Sequence, residues 1–193
     1  TLWRRAPEGL AGGIIVEAEA YVSASDPAAH GHRGITARTA VMYGPPGRAY
    51  VYFTYGMHYC LNAVAEPNGT GAAVLIRALQ PSHGLDLMRA RRGSRDSARV
   101  ADRDLARGPA RLCQALALTT ADNGADLTRG PDGTDLAIPA LWITATPDWP
   151  PATPISTSPR VGITRATDLP WRFFVPGNPY VSGRAVPLGT RQP

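Results

Sequence analysis

The sequence contains no lysine: all 20 of its basic Lys and Arg positions are arginine. Without a side-chain amine, chemistry that proceeds through a lysine Schiff base is excluded. Cysteine is nearly as scarce. Cys60 and Cys113 are the only two, and their apolar surroundings and wide separation fit buried free thiols in a reducing compartment, not a disulfide framework. No apolar run reaches the length of a membrane span, and no charged start followed by an apolar stretch marks a signal peptide. A cytoplasmic protein with no membrane partner is expected. Histidine is limited to four residues. His30-Gly31-His32 has no convincing further ligands elsewhere, and neither the zinc deaminase signature nor His-Glu-x-x-His occurs, so no metal and no cofactor are expected.

What is present describes a folded, basic protein. The 193 residues suit one domain spanning 1–193, and 44% apolar against 18% charged residues is a globular balance. A formal charge of +5 and a pI near 9.7 point to an acidic partner, nucleic acid first. Residues 13–22 (GIIVEAEAYV) alternate as a strand, with Glu17, Glu19 and Tyr21 on one face and small apolar residues on the other. Residues 26–47 read as a long loop ending in Gly44-Pro45-Pro46-Gly47. Two β-rich runs, 50–55 and 59–64, flank Gly56-Met57-His58 as a hairpin, and a turn at Asn68-Gly69 leads to a third run, 72–79, carrying Arg77. Short helices are expected after Pro81 and from Gly108-Pro109 onward. Residues 119–159, rich in Thr, Asp, Gly and Pro, read as a surface excursion within the domain.

Three features invite function. Six of the seven tyrosines lie between Tyr21 and Tyr59, which suits either sheet packing or a stacking pocket for a planar ligand. Glu17 and Glu19 are open to three readings: exposed residues of an edge strand, one carboxylate that deprotonates a water, or an acid–base pair flanking a sugar bond at about 5–9.5 Å. Eight arginines between Arg89 and Arg111, partly balanced by Asp96, Asp102 and Asp104, suit either a solvated face or contacts to phosphate.

The order Glu-x-Glu-Ala-Tyr, Ala-Ala-His, Pro-Gly-x-x-Tyr-Val-Tyr, Tyr-Gly-Met, Cys-x-Asn and Leu-x-Arg-Ala-Leu resembles the alkyladenine (3-methyladenine) DNA glycosylase family. The likeness continues through residues 108–118 and 160–182, including Phe-x-Val-x-Gly-Asn-Pro. The resemblance implies a mixed α/β (α+β) single domain with a curved, mainly antiparallel sheet flanked by helices and a protruding β-hairpin. It implies a monomeric, bacterial-type, nucleoid-associated enzyme that flips a damaged purine nucleotide out of double-stranded DNA and hydrolyses its N-glycosidic bond. On matching positions, Glu19 would activate the water and Arg77 help to hold it. Tyr21, His30 and Tyr52 would surround the base, Tyr55 would fill the gap left in the duplex, and Asn62 would crowd the place where guanine carries its amino group. Departures at Arg38-Thr39, Met42-Tyr43 and Ala18 bear on loop shape and pocket size, with Met42 bordering the base. The missing lysines then imply a monofunctional enzyme that leaves an abasic site. A hydrolase of free nucleosides and a non-cutting module that binds distorted duplex are the alternatives.

Overall fold

The computed structural model describes residues 1–93, 100–131, 140–146, 149–150 and 153–183. Its frame is two long antiparallel strands, β2 (Gly9–Val22) and β5 (Ala72–His83), paired along most of their length. Both are longer than their apolar alternation suggested, because residues 9–12 pair with the strand Leu2–Ala6 and residues 80–83 continue the ladder with β2. Register shifts at Ile15/Glu17 and Glu17/Ala18 leave Val16 and then Arg77 as extra residues in their strands. Such bulges bend the strands and increase their twist. They curve the sheet where Glu17, Glu19 and Arg77 meet.

The free edge of β2 is shared by two partners. β1 (Leu2–Ala6) pairs with its first half, and β8 (Arg172–Phe174) pairs with Glu17 to Glu19. Beyond β1 lies β6 (Ala140–Ile143), and β7 (Ser156–Ser158) pairs with β8. On the other side, β4 (His58–Ala65) joins β5 only through Asn62 to Ala65, while its first half pairs with β3 (Ala49–Thr54) alone. The β3–β4 hairpin therefore protrudes, as expected. Its turn is Tyr55-Gly56-Met57, one residue earlier than the sequence suggested, because Thr54 and His58 still pair. Tyr55 and Gly56 both take left-handed backbone, φ +51° and +67°, which a tight three-residue reversal demands and glycine adopts without strain.

α1 (Leu85–Arg91) and α2 (Pro109–Ala115) fall where proline and helical spacing placed them. Leu112, Cys113 and Ala115 of α2 are buried with Leu61, Ile76 and Leu79 of the sheet in the main core. Both cysteines are buried free thiols. The 119–159 segment is more than an excursion over the surface. Leu127 and Leu141 are buried in the main core, and β6 extends the sheet beyond β1, with Trp142 stacked 6.3 Å from Trp3. Isolated leucines among Thr, Asp and Gly gave no periodic signal. Residues 132–139, 147–148 and 151–152 of that segment lie outside the described residues. No helix among the described residues is long and apolar enough to cross a membrane.

Candidate active site

The concave side of the hairpin opens on a cavity of about 620 Å³. Seven of the eight residues expected to form the site line it: Tyr21, His30, Met42, Tyr52, Tyr55, Asn62 and Arg77. Glu19 does not. It is fully buried and hydrogen-bonded to three groups that do line the cavity, Tyr21, Arg77 and Val161.

One wall is aromatic. Alternation on β3 brings Tyr50 and Tyr52 to the same side, with ring centroids 5.4 Å apart. His30 stands edge-on to Tyr52 at 4.4 Å and shares a 3.1 Å hydrogen bond between its Nδ1 and the Tyr50 hydroxyl. Burial, reinforced by the positive charge of Arg38, lowers the His30 pKa and favours the neutral ring. Burial raises that of Tyr50 and keeps its hydroxyl protonated. Arg38 lies over the Tyr52 ring at 5.1 Å. Tyr50 was not singled out from sequence as a pocket residue, although the same alternation that placed Tyr52 placed it too. Asn62 is buried and donates from Nδ2 to the Tyr50 carbonyl at 3.0 Å, which fixes the orientation of its amide. Met42 is buried against Tyr50, Val64 and Ala73, so it supports the wall as much as it borders the cavity.

The loop carrying His30 is held by close packing. The Tyr43 hydroxyl donates to the Gly31 carbonyl at 2.6 Å. A Cβ at Gly31 would stand 2.1 Å from the Ser23 Oγ and 2.9 Å from the Tyr43 hydroxyl, so only glycine lets this turn approach.

Behind the wall lies a charged network. Glu19 Oε1 accepts from the Val161 N–H at 2.7 Å, and its Oε2 accepts from the Tyr21 hydroxyl at 2.9 Å and Arg77 Nη1 at 3.2 Å. Glu17 Oε1 accepts from Arg77 Nε at 3.0 Å and Arg172 Nε at 2.7 Å, and its Oε2 accepts from the Ser182 N–H at 2.6 Å. Arg77 thus joins the two carboxylates. Burial works against its charge, but Glu19 and then Glu17 outweigh burial and hold the guanidinium protonated. Burial, with Glu19 adding to it, pushes the Tyr21 phenol far up, so its O–H remains a donor. Glu17 is buried, and of its three partners only Arg77 lines the cavity, whereas all three partners of Glu19 do. The reading of Glu17 and Glu19 as an acid and base flanking one bond therefore loses its second carboxylate.

A further pair was not visible in the sequence. Arg160 donates to both oxygens of Asp26, at 2.5 and 2.8 Å, and to the Ala20 carbonyl at 2.9 Å. Its guanidinium lies 4.5 Å from the Tyr21 ring centroid and 5.2 Å from that of Trp171. Residue 160 thus clamps Tyr21 through its side chain while residue 161 holds Glu19 through its amide. These partners are more than 130 positions apart, and no local spacing announces them.

Tyr55 is 82% exposed at the hairpin tip, beside Met57 at 68%. The Arg89 to Arg111 run is largely spent within the protein. Arg89 pairs with Asp86 and Asp102, Arg91 with Glu8, and Arg103 and Arg111 with Asp104, while Arg107 donates to the Val181 carbonyl. Arg95 and Arg99 lie outside the described residues. No three His, Cys, Asp or Glu side chains converge on a metal site among the described residues.

The sequence that builds this curved frame, aromatic cavity and buried carboxylate–arginine network has close relatives among known proteins. A profile of the methylpurine-DNA glycosylase (MPG) family matches residues 1–179. Proteins named "Putative 3-methyladenine DNA glycosylase" are similar to most of the chain. One from Burkholderia cenocepacia is 53% identical over 94% of this chain and 81% of its own length. One from Rhodopseudomonas palustris is 50% identical over 91% and 78%, and one from Chlorobaculum parvum is 46% identical over 87% and 73%. The chain belongs to the methylpurine-DNA glycosylase family. It is a DNA glycosylase, a hydrolase whose substrate is DNA and whose reaction belongs to base-excision repair.

Proposed function

We propose that this enzyme extrudes a damaged purine nucleotide from duplex DNA into the aromatic cavity and hydrolyses its N-glycosidic bond with a water activated by Glu19, leaving an abasic site. The observation that carries this reading is a buried glutamate directly behind an aromatic cavity roomy enough for a purine base, with an exposed tyrosine on the protruding hairpin at the cavity's edge. Flipping costs a few kcal/mol of lost stacking and pairing. Contacts with Tyr21, His30 and Tyr52, each stacked base–aromatic contact contributing about 1–3 kcal/mol, offset it, and Tyr55 fills the vacated place in the stack.

The chemistry asks little of the protein when the base is an alkylated, cationic purine, which is already a good leaving group and stacks favourably on electron-rich rings. Glu19 takes a proton from the water as its oxygen attacks the sugar carbon, and the bond electrons leave with the purine. A carboxylate has about four acceptor positions. Three are filled, by Val161, Tyr21 and Arg77, and the one remaining on Oε1 serves the water. Val161, whose amide holds Oε1, and Gly162 both line the cavity, and a slight yielding of this segment admits the water. Arg77, tied to both carboxylates, keeps the base in place. Asn62, its amide fixed against Tyr50, crowds the side of the pocket that guanine's amino group would occupy.

With no lysine in the chain, no side-chain amine is available to attack the sugar, and the strand is left intact. End-labelled duplex carrying one hypoxanthine or one alkylated adenine tests this. Breakage is expected only after hot alkali, and borohydride should trap no covalent complex. Breakage without alkali would overturn the monofunctional reading.

A further inference from the structure

We infer that Arg33 and Arg165 form a two-sided phosphate clamp at the cavity mouth, and that the arginine-dense run from Arg89 to Arg111 is not the DNA-binding element. This rests on the proposed extrusion of a nucleotide into the cavity. A base that enters while still joined to its sugar leaves the sugar and both flanking phosphates at the entrance. Whatever cations stand there meet those phosphates.

Arg33 ends the His30–Arg33 turn, and Arg165 belongs to the segment between β7 and β8. Both line the cavity and both are exposed. Neither makes an ion pair or hydrogen bond among the described residues. A guanidinium kept free of carboxylates at a pocket entrance offers a planar donor fork suited to phosphate oxygens. Arg38, on the same loop as Arg33, is already placed over Tyr52. Elsewhere the contrast is sharp, since Arg89, Arg91, Arg103 and Arg111 each face an Asp or Glu. Releasing those arginines for DNA would forfeit the pairs they already make.

The salt dependence of binding counts phosphate contacts, with a slope of log affinity against log salt of roughly −0.9 per neutralised phosphate. Binding of the full chain to a duplex holding a stable tetrahydrofuran abasic analogue is measured across a salt series for the wild type, Arg33→Gln, Arg165→Gln, the double variant and Arg111→Gln. Each cavity-mouth variant should flatten the slope by about 0.9 and the double by about 1.8, while Arg111→Gln, which removes the same charge from a paired site, leaves it unchanged. An unchanged slope in the double variant, or an equal flattening in Arg111→Gln, would overturn the assignment. The measurement involves no base removal. Failure of the alkali assay and failure of this clamp are therefore separate results.

Discussion

Asp26 shows how a single side chain that does not line the cavity can hold the site together. It and Arg160 are fully shielded from water, and breaking one half of such a pair costs about 3–5 kcal/mol because the remaining charge is left buried. Burial alone would raise the Asp26 pKa, but hydrogen bonds from Arg160 and the Ala28 amide outweigh burial and bring it below the ordinary value. A carboxylate with a depressed folded-state pKa contributes stability that is fully present above its unfolded value, about 3.9, and is lost as pH falls through the folded one. Asp26→Asn should therefore lower the denaturant-derived stability by about 3–5 kcal/mol at pH 7, and the gap to wild type should close as the pH drops below about 4. A gap that stays constant to pH 3 would show that the pair does not carry this load. At the same scale Glu17 and Glu19 diverge. Adjacent on one face and similar in sequence, each accepts three hydrogen bonds, but Glu17 is held by Arg172 and Ser182 away from the cavity while the partners of Glu19, Val161, Tyr21 and Arg77, all line it. The Glu-x-Glu spacing made the two residues candidates, and only their distant partners separate them.

Among the elements, the β3–β4 hairpin is the one that joins cavity, core and exposed tip. Its inner face supplies Tyr50 and Tyr52 to the cavity, its outer face sends Val51 and Leu61 into the main core, and its tip extends beyond β5. Tyr55 supports none of this packing, so Tyr55→Ala should change stability by less than about 0.5 kcal/mol. It should nevertheless slow base removal from duplex much more than from single-stranded substrate, where no stack has to be filled. Comparing single-turnover rates on the two substrates checks it, and an equal slowing on both would assign Tyr55 to the pocket and not to the stack. The hairpin was legible because its signals are local: β-rich runs, a glycine turn and alternation. The strands that complete the sheet were not. β1 is a short hairpin partner of β2 joined through Pro7 and Glu8, while β6 and β8, of four and three residues, exist because β1 and β2 offer free edges to segments distant in the chain.

For the whole molecule, the sequence conveyed the class of fold and nearly all of the cavity wall, since Tyr21, His30, Tyr52, Asn62 and Arg77 sit on or beside the elements whose patterns were strongest. It did not convey how the site is closed from behind. Val161 reaches Glu19 across 142 positions, Arg160 reaches Asp26 across 134, and Ser182 reaches Glu17 across 165. Periodicity describes which face a residue occupies, not which loop will meet it. Charge shows the same limit. The densest run of arginine marked the obvious candidate for DNA contact, yet its described members are mostly neutralised by neighbouring carboxylates, while isolated arginines at the cavity mouth stand free.

The central claim is that Glu19, one layer behind the aromatic wall, activates the water. Glu19→Gln keeps the shape and most of the hydrogen-bonding capacity of the side chain but cannot accept the proton. With enzyme in excess over a duplex carrying one hypoxanthine, the single-turnover rate of base removal should fall by about 10²–10⁴-fold, while affinity for the abasic-analogue duplex stays close to wild type. A Glu19→Gln enzyme that removes the base at the wild-type rate would contradict the account.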